Sequence, residues 1–493
     1  MTLMEGPVFR NQHTSSGLKF ILVSLIALIL ACAVNPVTGK RQFMLLSESD
    51  EIQLGKSSDA EIVKQYGVYP DASLSTYITD IGMKMAKLSH RPNLPYEFKV
   101  MDTPVINAFA IPGGYVYITR GILAYLNNEA ELAGVMGHEI GHITARHSAE
   151  QYSKAELAQL GLGLGSVLSE TFQKYAGIAQ FGVGMLFLKF SRENESQADE
   201  LGVQYSTEAG YDATQMANFF HTLDRMSPSG SQDGLAEWFS THPNPEGRAV
   251  KVETEAKEWR QKAGNQNLII RRDEFLHHID GIVFGDDPRQ GYLENGIFYH
   301  PDLTFLFSIP ADWKTLNTPT QVQITSPEQD AVILFTMDAS TSPEEAAAKF
   351  ISDSKATVVS QNNTQVHSMP ATALTADIQS QQEVLRVLAY FIKKDQNVFV
   401  FYGFTAQPSF ETYKNKFQQT ISSFNRLTDR NKINVQPDRL RLKTINRTGS
   451  LKDMLIGLKI SGDDLDKLAL LNGMELTDNV PANTLIKIVE KGK

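Results

Sequence analysis

At 493 residues with 42% apolar composition, the chain is long enough for several cored domains and falls outside the disordered class. Its net charge of -10, from 46 basic and 56 acidic residues, argues against a nucleic-acid partner. A single cysteine, Cys32, excludes an intrachain disulfide and a cysteine-based zinc site.

Arg10 and Lys19 precede an apolar run from Phe20 to Val34 that is interrupted at Ser24. At about 15 residues it is short for a membrane span of roughly 20 and reads as the apolar core of a signal peptide. Ile29-Leu30-Ala31-Cys32 resembles a bacterial lipobox. The resemblance implies that residues 1–31 are a lipoprotein signal peptide and that Cys32 carries the lipid and begins the mature chain. Ala33, where an aspartate is absent, is similar to Gram-negative lipoproteins held at the periplasmic face of the outer membrane.

Residues 32–264 are expected to form the first folded domain. Ser47 and Asp50 make an S-x-x-D box that opens a helix. Leu74, Tyr77, Ile78, Ile81, Met85 and Leu88 recur at helical spacing. Strands are expected over 96–101 and 115–119, with Pro112-Gly113-Gly114 turning the chain into the second. Residues 129–148 read as one continuous helix whose buried side is Leu132, Met136, Ile140 and Ile143.

That helix carries His138-Glu139-Ile140-Gly141-His142. Positions 138 and 142 lie one turn apart on one face, so both imidazoles can reach one Zn2+. Glu139, beside the first of them, can take a proton from water activated by the metal. His147 falls outside the four-residue spacing and reads as a helix-end residue or a support for a ligand. A catalytic zinc takes three protein ligands and leaves a position open, so a third is required. On 191–202, Glu195 and Asp199 are four apart and share a face, one able to bind metal and the other to orient a ligand histidine. Glu193 and Glu200 compete with them, and spacing does not choose.

Between His142 and Glu195, Gly161, Gly163 and Gly165 and then Gly177, Gly182 and Gly184 punctuate two apolar blocks too short to span a bilayer. A buried helix hairpin is expected there, with a mobile lid or membrane-facing element as the alternative. Further on, His242 stands between Thr241 and Pro243, and Asn244 and Pro245 are placed to start a helix that includes Arg248.

His138-Glu-Ile-Gly-His142 followed by Glu195-Ser-Gln-Ala-Asp199, with Asn107-Ala-Phe-Ala and Pro112-Gly-Gly upstream, resembles the membrane-associated zinc metallopeptidase family that includes HtpX, the CAAX prenyl protease and BepA. The resemblance covers residues 35–262. It implies a mainly helical zincin-type domain with a small sheet, one Zn2+ per chain, His138, His142 and Glu195 as its ligands, Glu139 as the catalytic carboxylate and Asp199 behind a ligand histidine. It implies peptide hydrolysis through a zinc-activated water and Glu139. The strand over 115–119, bordered by Asn107, Gly113, Gly114 and Tyr115, is similar to the family's substrate-aligning edge, and an ordinary internal strand is the alternative. The Thr-His-Pro and Arg pattern places His242 and Arg248 in the active site. His242 is expected to occupy the open metal position reversibly, and Arg248 to anchor the loop or to stabilise an oxyanion.

Residues 273–430 change texture to short alternating strands with helices near 342–352 and 412–424, an α+β layout that resembles PsbP-like domains. His277, His278 and His300 have no metal-ligand spacing and read as structural. Residues 437–493 read strand, helix, helix, strand and resemble a LysM module, with Gly449-Ser-Leu-Lys452 where that module has Gly-Asp-Thr-Leu. The whole is expected to be a multidomain α+β protein acting as a lipid-anchored periplasmic zinc metalloendopeptidase. Its expected substrates are misfolded or stalled envelope and outer-membrane proteins, with peptidoglycan a further candidate partner. The alternative is a non-proteolytic envelope assembly factor or chaperone with a latent or structural zinc site.

Overall fold

The computed structural model describes residues 32–162, 190–226, 242, 247–264, 267–379 and 383–492. The signal-peptide run, the glycine-punctuated blocks over 163–189 and the Pro-rich stretches around His242 lie outside the described residues. Among the described residues no helix is long and apolar enough to cross a membrane.

The chain enters as a two-stranded ribbon, β1 (Cys32–Val34) paired antiparallel with β2 (Arg41–Phe43). Helix α1 (Glu48–Tyr66) follows, opened by the expected capping box: the Ser47 side chain accepts from the Asp50 amide and Asp50 reaches back to Ser47. Helix α2 (Ala72–Ala86) buries Leu74, Ile78, Ile81 and Met85, whereas Leu88 lies beyond its end and is exposed. Strands β3 (Glu97–Met101), β4 (Ala108–Ile111) and β5 (Tyr115–Thr119) form a sheet in the order β3-β5-β4, with β3 parallel and β4 antiparallel to β5. This corrects the sequence-based expectation: 115–119 is the middle strand, and the edges are β3 and β4. Both neighbours of β5 saturate its backbone, so it has no free ladder to offer a substrate.

After α3 (Arg120–Tyr125) comes α4 (Glu129–Thr144), the helix of the histidine pair, capped by Asn128 accepting from the Glu131 amide. All of its residues are buried, not one stripe, because α2, β4 and two later helices enclose it. It also stops four residues before the expected end. Arg146 takes a left-handed conformation, φ 60°, and its guanidinium pairs with buried Glu51 and donates to the Leu46 carbonyl, which turns the chain into α5 (His147–Leu162). Helices α6 (Arg192–Glu208), α7 (Gln215–Met226), α8 (Arg248–Ala263) and α9 (Arg272–Ile279) complete the layer.

Next, a four-stranded sheet holds β6 (Tyr292–Glu294), β7 (Ile297–His300), β8 (Phe305–Ser308) and β16 (Asn425–Arg426). A seven-stranded antiparallel sheet has the order β12-β13-β14-β15-β11-β10-β9, from β9 (Lys314–Thr318), β10 (Gln321–Thr325), β11 (Ala331–Asp338), β12 (Thr357–Val366), β13 (Met369–Gln379), β14 (Val384–Lys394) and β15 (Asn397–Ala406). Alternation along β14 and β15 sorts its two faces. Val387, Ala389 and Phe391 with Val398 and Val400 pack under α10 (Pro343–Ser354), and Leu388 and Ile392 with Phe399 and Phe401 pack under α11 (Phe410–Ser422). His278 stacks on Tyr77 with ring centroids 3.7 Å apart, and the Nδ1 of His300 accepts from the Leu303 amide, both structural uses.

After α12 (Arg430–Ile433), the chain returns to the helical layer. Strand β17 (Arg439–Thr444) pairs antiparallel with β20 (Leu485–Glu490), enclosing α13 (Leu451–Gly457), α14 (Leu465–Leu471) and the short pair β18 (Gly449–Ser450) and β19 (Asn479–Val480). One apolar cluster runs without a break from Leu74 and Ile140 to Leu440, Leu468 and Ile486. Lys487 drives its ammonium into that joint, donating to the carbonyls of Ala124 and Leu126 at 2.8 and 2.7 Å beside buried Glu131. Burial pulls the lysine below its ordinary value and pushes Glu131 above the usual carboxylate range, each partly offset by the other's charge.

Replacing Lys487 by Met would strand two carbonyls and remove the positive charge near the Glu131 carboxyl, which keeps its bonds from the Asn127 amide and Asn128 Nδ2. The expected cost is about 3–5 kcal/mol, read as an earlier denaturant midpoint. Adding Glu131→Gln should restore part of it.

Candidate metal centre

The close approach of α4 and α6 builds the site. A side chain at Gly137 would strike the Gly202 carbonyl at 2.9 Å, one at Gly202 the His138 amide nitrogen at 2.9 Å, and one at Gly141 the Ala198 carbonyl at 3.1 Å. Three glycines thus let the two backbones touch, and Ser191, whose side chain accepts from the Asn194 amide, sets where α6 begins.

Across that seam, His138, His142, Glu195 and His242 converge, each buried, with one ligand atom apiece inside a 4.8 Å sphere of mutual distance. The Nε2 atoms of His138 and His142 lie 3.1 Å apart. Glu195 Oε1 is 3.4 Å from His142 Nε2 and 3.0 Å from His242 Nδ1, and His242 Nδ1 is 3.4 Å from His138 Nε2. A tetrahedron of Zn–N and Zn–O bonds near 2.0–2.1 Å has edges of about 3.3–3.4 Å. These separations are near such edges, and imidazole nitrogens with a carboxylate oxygen are the donors zinc takes, so the set suits a divalent cation.

Behind the ligands, the other ring nitrogens of His138 and His142 face polar groups. His138 Nδ1 lies 3.0 Å from Asp199 Oδ1. His142 Nδ1 lies 3.0 Å from His147 Nδ1, whose Nε2 is 3.0 Å from Gln197 Oε1. A glutamine oxygen only accepts, so His147 carries its proton on Nε2, accepts at Nδ1, and leaves His142 protonated on Nδ1 with a bare Nε2 facing the cluster. Sequence spacing admitted His147 as a support but had no signal for Gln197. Arg248 is wholly engaged: Nε and Nη2 donate to the two Asp199 oxygens at 2.9 and 2.7 Å, Nη1 is 3.2 Å from Glu195 Oε2, and the guanidinium lies over the Phe220 ring. These contacts run to side chains of α6 and α7.

Glu139 Oε1 is buried without a hydrogen-bond partner among the described residues, and it stands 3.7 Å from His242 Nε2. Burial raises its pKa. Burial also pushes Glu195 and Asp199 upward. His242 and His142 outweigh it at Glu195, Arg248 and His138 outweigh it at Asp199, and both stay below the usual carboxylate range, Glu195 well below. Burial lowers His142 well below its ordinary value, which suits a neutral ligand. His242 is pulled down by burial but raised overall by Glu195 and Glu139.

The other candidate residues fall elsewhere. Asn107 precedes β4 and is buried, its amide donating to Thr119 Oγ1. Gly113 and Gly114, φ 90° and 105°, make the β4–β5 turn and pack on the backbones of Glu51 and Pro95, and Tyr115 pairs with Glu97. Cys32 sits in β1, opposite Phe43.

Residues 72–256 match the family described as Peptidase family M48. The chain is 31% identical over 234 residues to the β-barrel assembly-enhancing protease of Escherichia coli strain K12, covering 46% of this chain and 47% of that protein. It is 31% identical over 239 residues to the mitochondrial metalloendopeptidase OMA1 of Schizosaccharomyces pombe, covering 46% and 66%. The matched region thus spans about half the length of the first of these relatives. Among solved structures, the cyanobacterial PsbP of Synechocystis aligns with 26% of this chain and 91% of its own at 14% identity and a TM-score of 0.24, too low to carry an argument.

An alanine at Gly202 should part α4 from α6 by a few tenths of an ångström. At an overpacking cost of about 1–3 kcal/mol, zinc affinity measured by chelator competition should fall roughly 10–100-fold while far-UV circular dichroism stays unchanged.

Proposed function

We propose, because residues 72–256 belong to Peptidase family M48, that the chain is a zinc-dependent endopeptidase of the cell envelope. The observation that carries this reading is the buried cluster of two histidines and a glutamate beside a buried carboxylate, Glu139, whose Oε1 has no hydrogen bond among the described residues. His138, His142 and Glu195 would hold one zinc ion, and Asp199 and His147 would fix the ring orientation of the two histidines. Bound zinc supplies Lewis-acid polarisation of the scissile carbonyl and acidifies water.

Glu139 takes the proton of the attacking water on its carboxylate and returns it to the leaving amine nitrogen. Its raised pKa keeps it basic enough for the first step and acidic enough for the second. Strand β4, with one neighbour among the described residues, offers its free ladder to an extended polypeptide. Arg248 does not need to touch substrate for this chemistry; it neutralises Asp199 and steadies Glu195. His242 fills the fourth donor position, so the resting enzyme is latent until the loop withdraws it.

The substrates in this reading are misfolded or stalled envelope proteins. Similarity to a β-barrel assembly-enhancing protease and to a metalloendopeptidase supports that class. Lipid at Cys32 would hold the enzyme at the periplasmic face of the outer membrane. One observation favours the second reading: with His242 included, four donors close the site as a structural zinc centre does, which suits a non-proteolytic assembly factor.

Cleavage of an unfolded protein by the zinc-loaded chain separates the two. Glu139→Gln should retain zinc and lose about 10²–10⁴-fold in turnover. His242→Ala should cleave faster than the parent. Absence of turnover in the parent and in His242→Ala, with zinc bound in both, would replace the protease by the assembly factor.

A further inference from the structure

A second concavity lies away from the metal cluster, where the C-terminal strand-helix-helix-strand unit meets the peptidase layer. It encloses about 820 Å3, within the range of ligand-binding clefts. One wall is α3 with the segment entering β4, including Ile106 and Tyr125; the other is α14 and the chain after it, including Ala469, Leu470 and Leu476; Phe284 lies between them. These side chains are apolar apart from one hydroxyl, that of Tyr125, which has no hydrogen-bond partner among the described residues and whose pKa burial pushes up to about 12. The charges at its rim are of both signs, Arg225 and Lys467 against Asp286, Asp466 and Glu475. A mixed rim of this kind does not select a polyanion.

Its position relative to β4 suggests the occupant. The Thr119 amide donates to the Asn107 carbonyl at 3.1 Å, and a side chain at Gly121 would strike the carbonyls of Pro104 and Val105, so the upstream end of β4 is pinned to the start of α3. The cleft opens there. β4 runs from Ala108 to Ile111 away from it. A polypeptide added antiparallel to the free edge of β4 runs the opposite way, so its C-terminal part leaves the edge at Ile106 and enters the cleft. At about 3.4 Å per residue, four paired residues cover roughly 14 Å before the chain reaches it.

We propose that the cleft between α3 and α14 receives the apolar segment of an extended polypeptide that lies C-terminal to the part paired with β4. This rests on the reading of β4 as the substrate edge. The C-terminal unit is then half of a substrate site, which selects unfolded chains rich in apolar side chains over short or polar peptides. Phe284, Leu470 and Leu476 supply the apolar contact, and the Tyr125 hydroxyl is placed to donate to a backbone carbonyl.

The test uses the full chain carrying Glu139→Gln, loaded with zinc, and two fluorescein-labelled peptides of one apolar-rich sequence, six and fourteen residues long. Anisotropy should show the longer peptide binding about tenfold more tightly, and Leu470→Glu should erase that advantage while leaving the short peptide unchanged. Leu476→Glu, outside the helix, should do the same, and it decides if Leu470→Glu lowers the melting temperature. In the cleaving parent, both changes should raise KM for the long peptide and leave its kcat alone. Equal binding of the two peptides, or binding indifferent to both substitutions, overturns the proposal. So does a shift from dimer to monomer in sedimentation on Leu470→Glu, because the occupant would then be a second copy. Length-dependent binding without any cleavage by the parent or by His242→Ala would keep the cleft and reject the protease.

Discussion

The backbone contact between α4 and α6 is the constraint on which the rest depends. Two helices with ordinary side chains at their seam pack with axes 8–10 Å apart, and glycines at the crossing allow a closer approach. Gly137, Gly141 and Gly202 provide it here, and it sets the 3.4 Å between Glu195 and His142. The same seam sets the 3.0 Å between Asp199 and His138. The histidine pair comes from local helix geometry, but a third ligand on another helix is a matter of packing.

Such packing leaves α4 enclosed along its whole length, and every charge near it has to be answered. At its N-terminal end Lys487 serves Glu131 and the two carbonyls of Ala124 and Leu126. At its C-terminal end Arg91 donates to Glu51 and to the Ile143 carbonyl, and Arg146 pairs with the same glutamate. In the middle Arg248 answers Asp199 and Glu195. Glu139 Oε1 is a buried carboxylate oxygen without a hydrogen bond among the described residues, a departure from full satisfaction of the kind expected at a reacting group.

This arrangement also accounts for the C-terminal unit. Its strand β20 carries Lys487 into the joint and shares the apolar cluster that surrounds α4, so a segment distant in sequence takes part in holding the metal helix. The seven-stranded sheet has two separate clusters of its own, sorted by the alternation of β14 and β15, and does not share that core.

Much of this was legible in the residues. The capping box at Ser47, strand 115–119 to the residue and the helix of the histidine pair all follow from local patterns whose physics acts within a few neighbours. Strands β12 and β13 did not, since β12 is polar and exposed on both faces and so has no hydrophobic period to read. The order β3-β5-β4 was hidden because strand adjacency is a pairing between distant segments, and the break at Arg146 because its left-handed turn is held by Glu51, nearly a hundred residues away. By itself, then, the sequence determined that two imidazoles and a carboxylate share one helix, since a spacing of four is fixed by 3.6 residues per turn. Only the tertiary structure decided where Arg248 is spent, that Gln197 orders the protons of His147 and His142, and that His242 reaches Glu195, because each is a contact between elements whose distance no local period encodes.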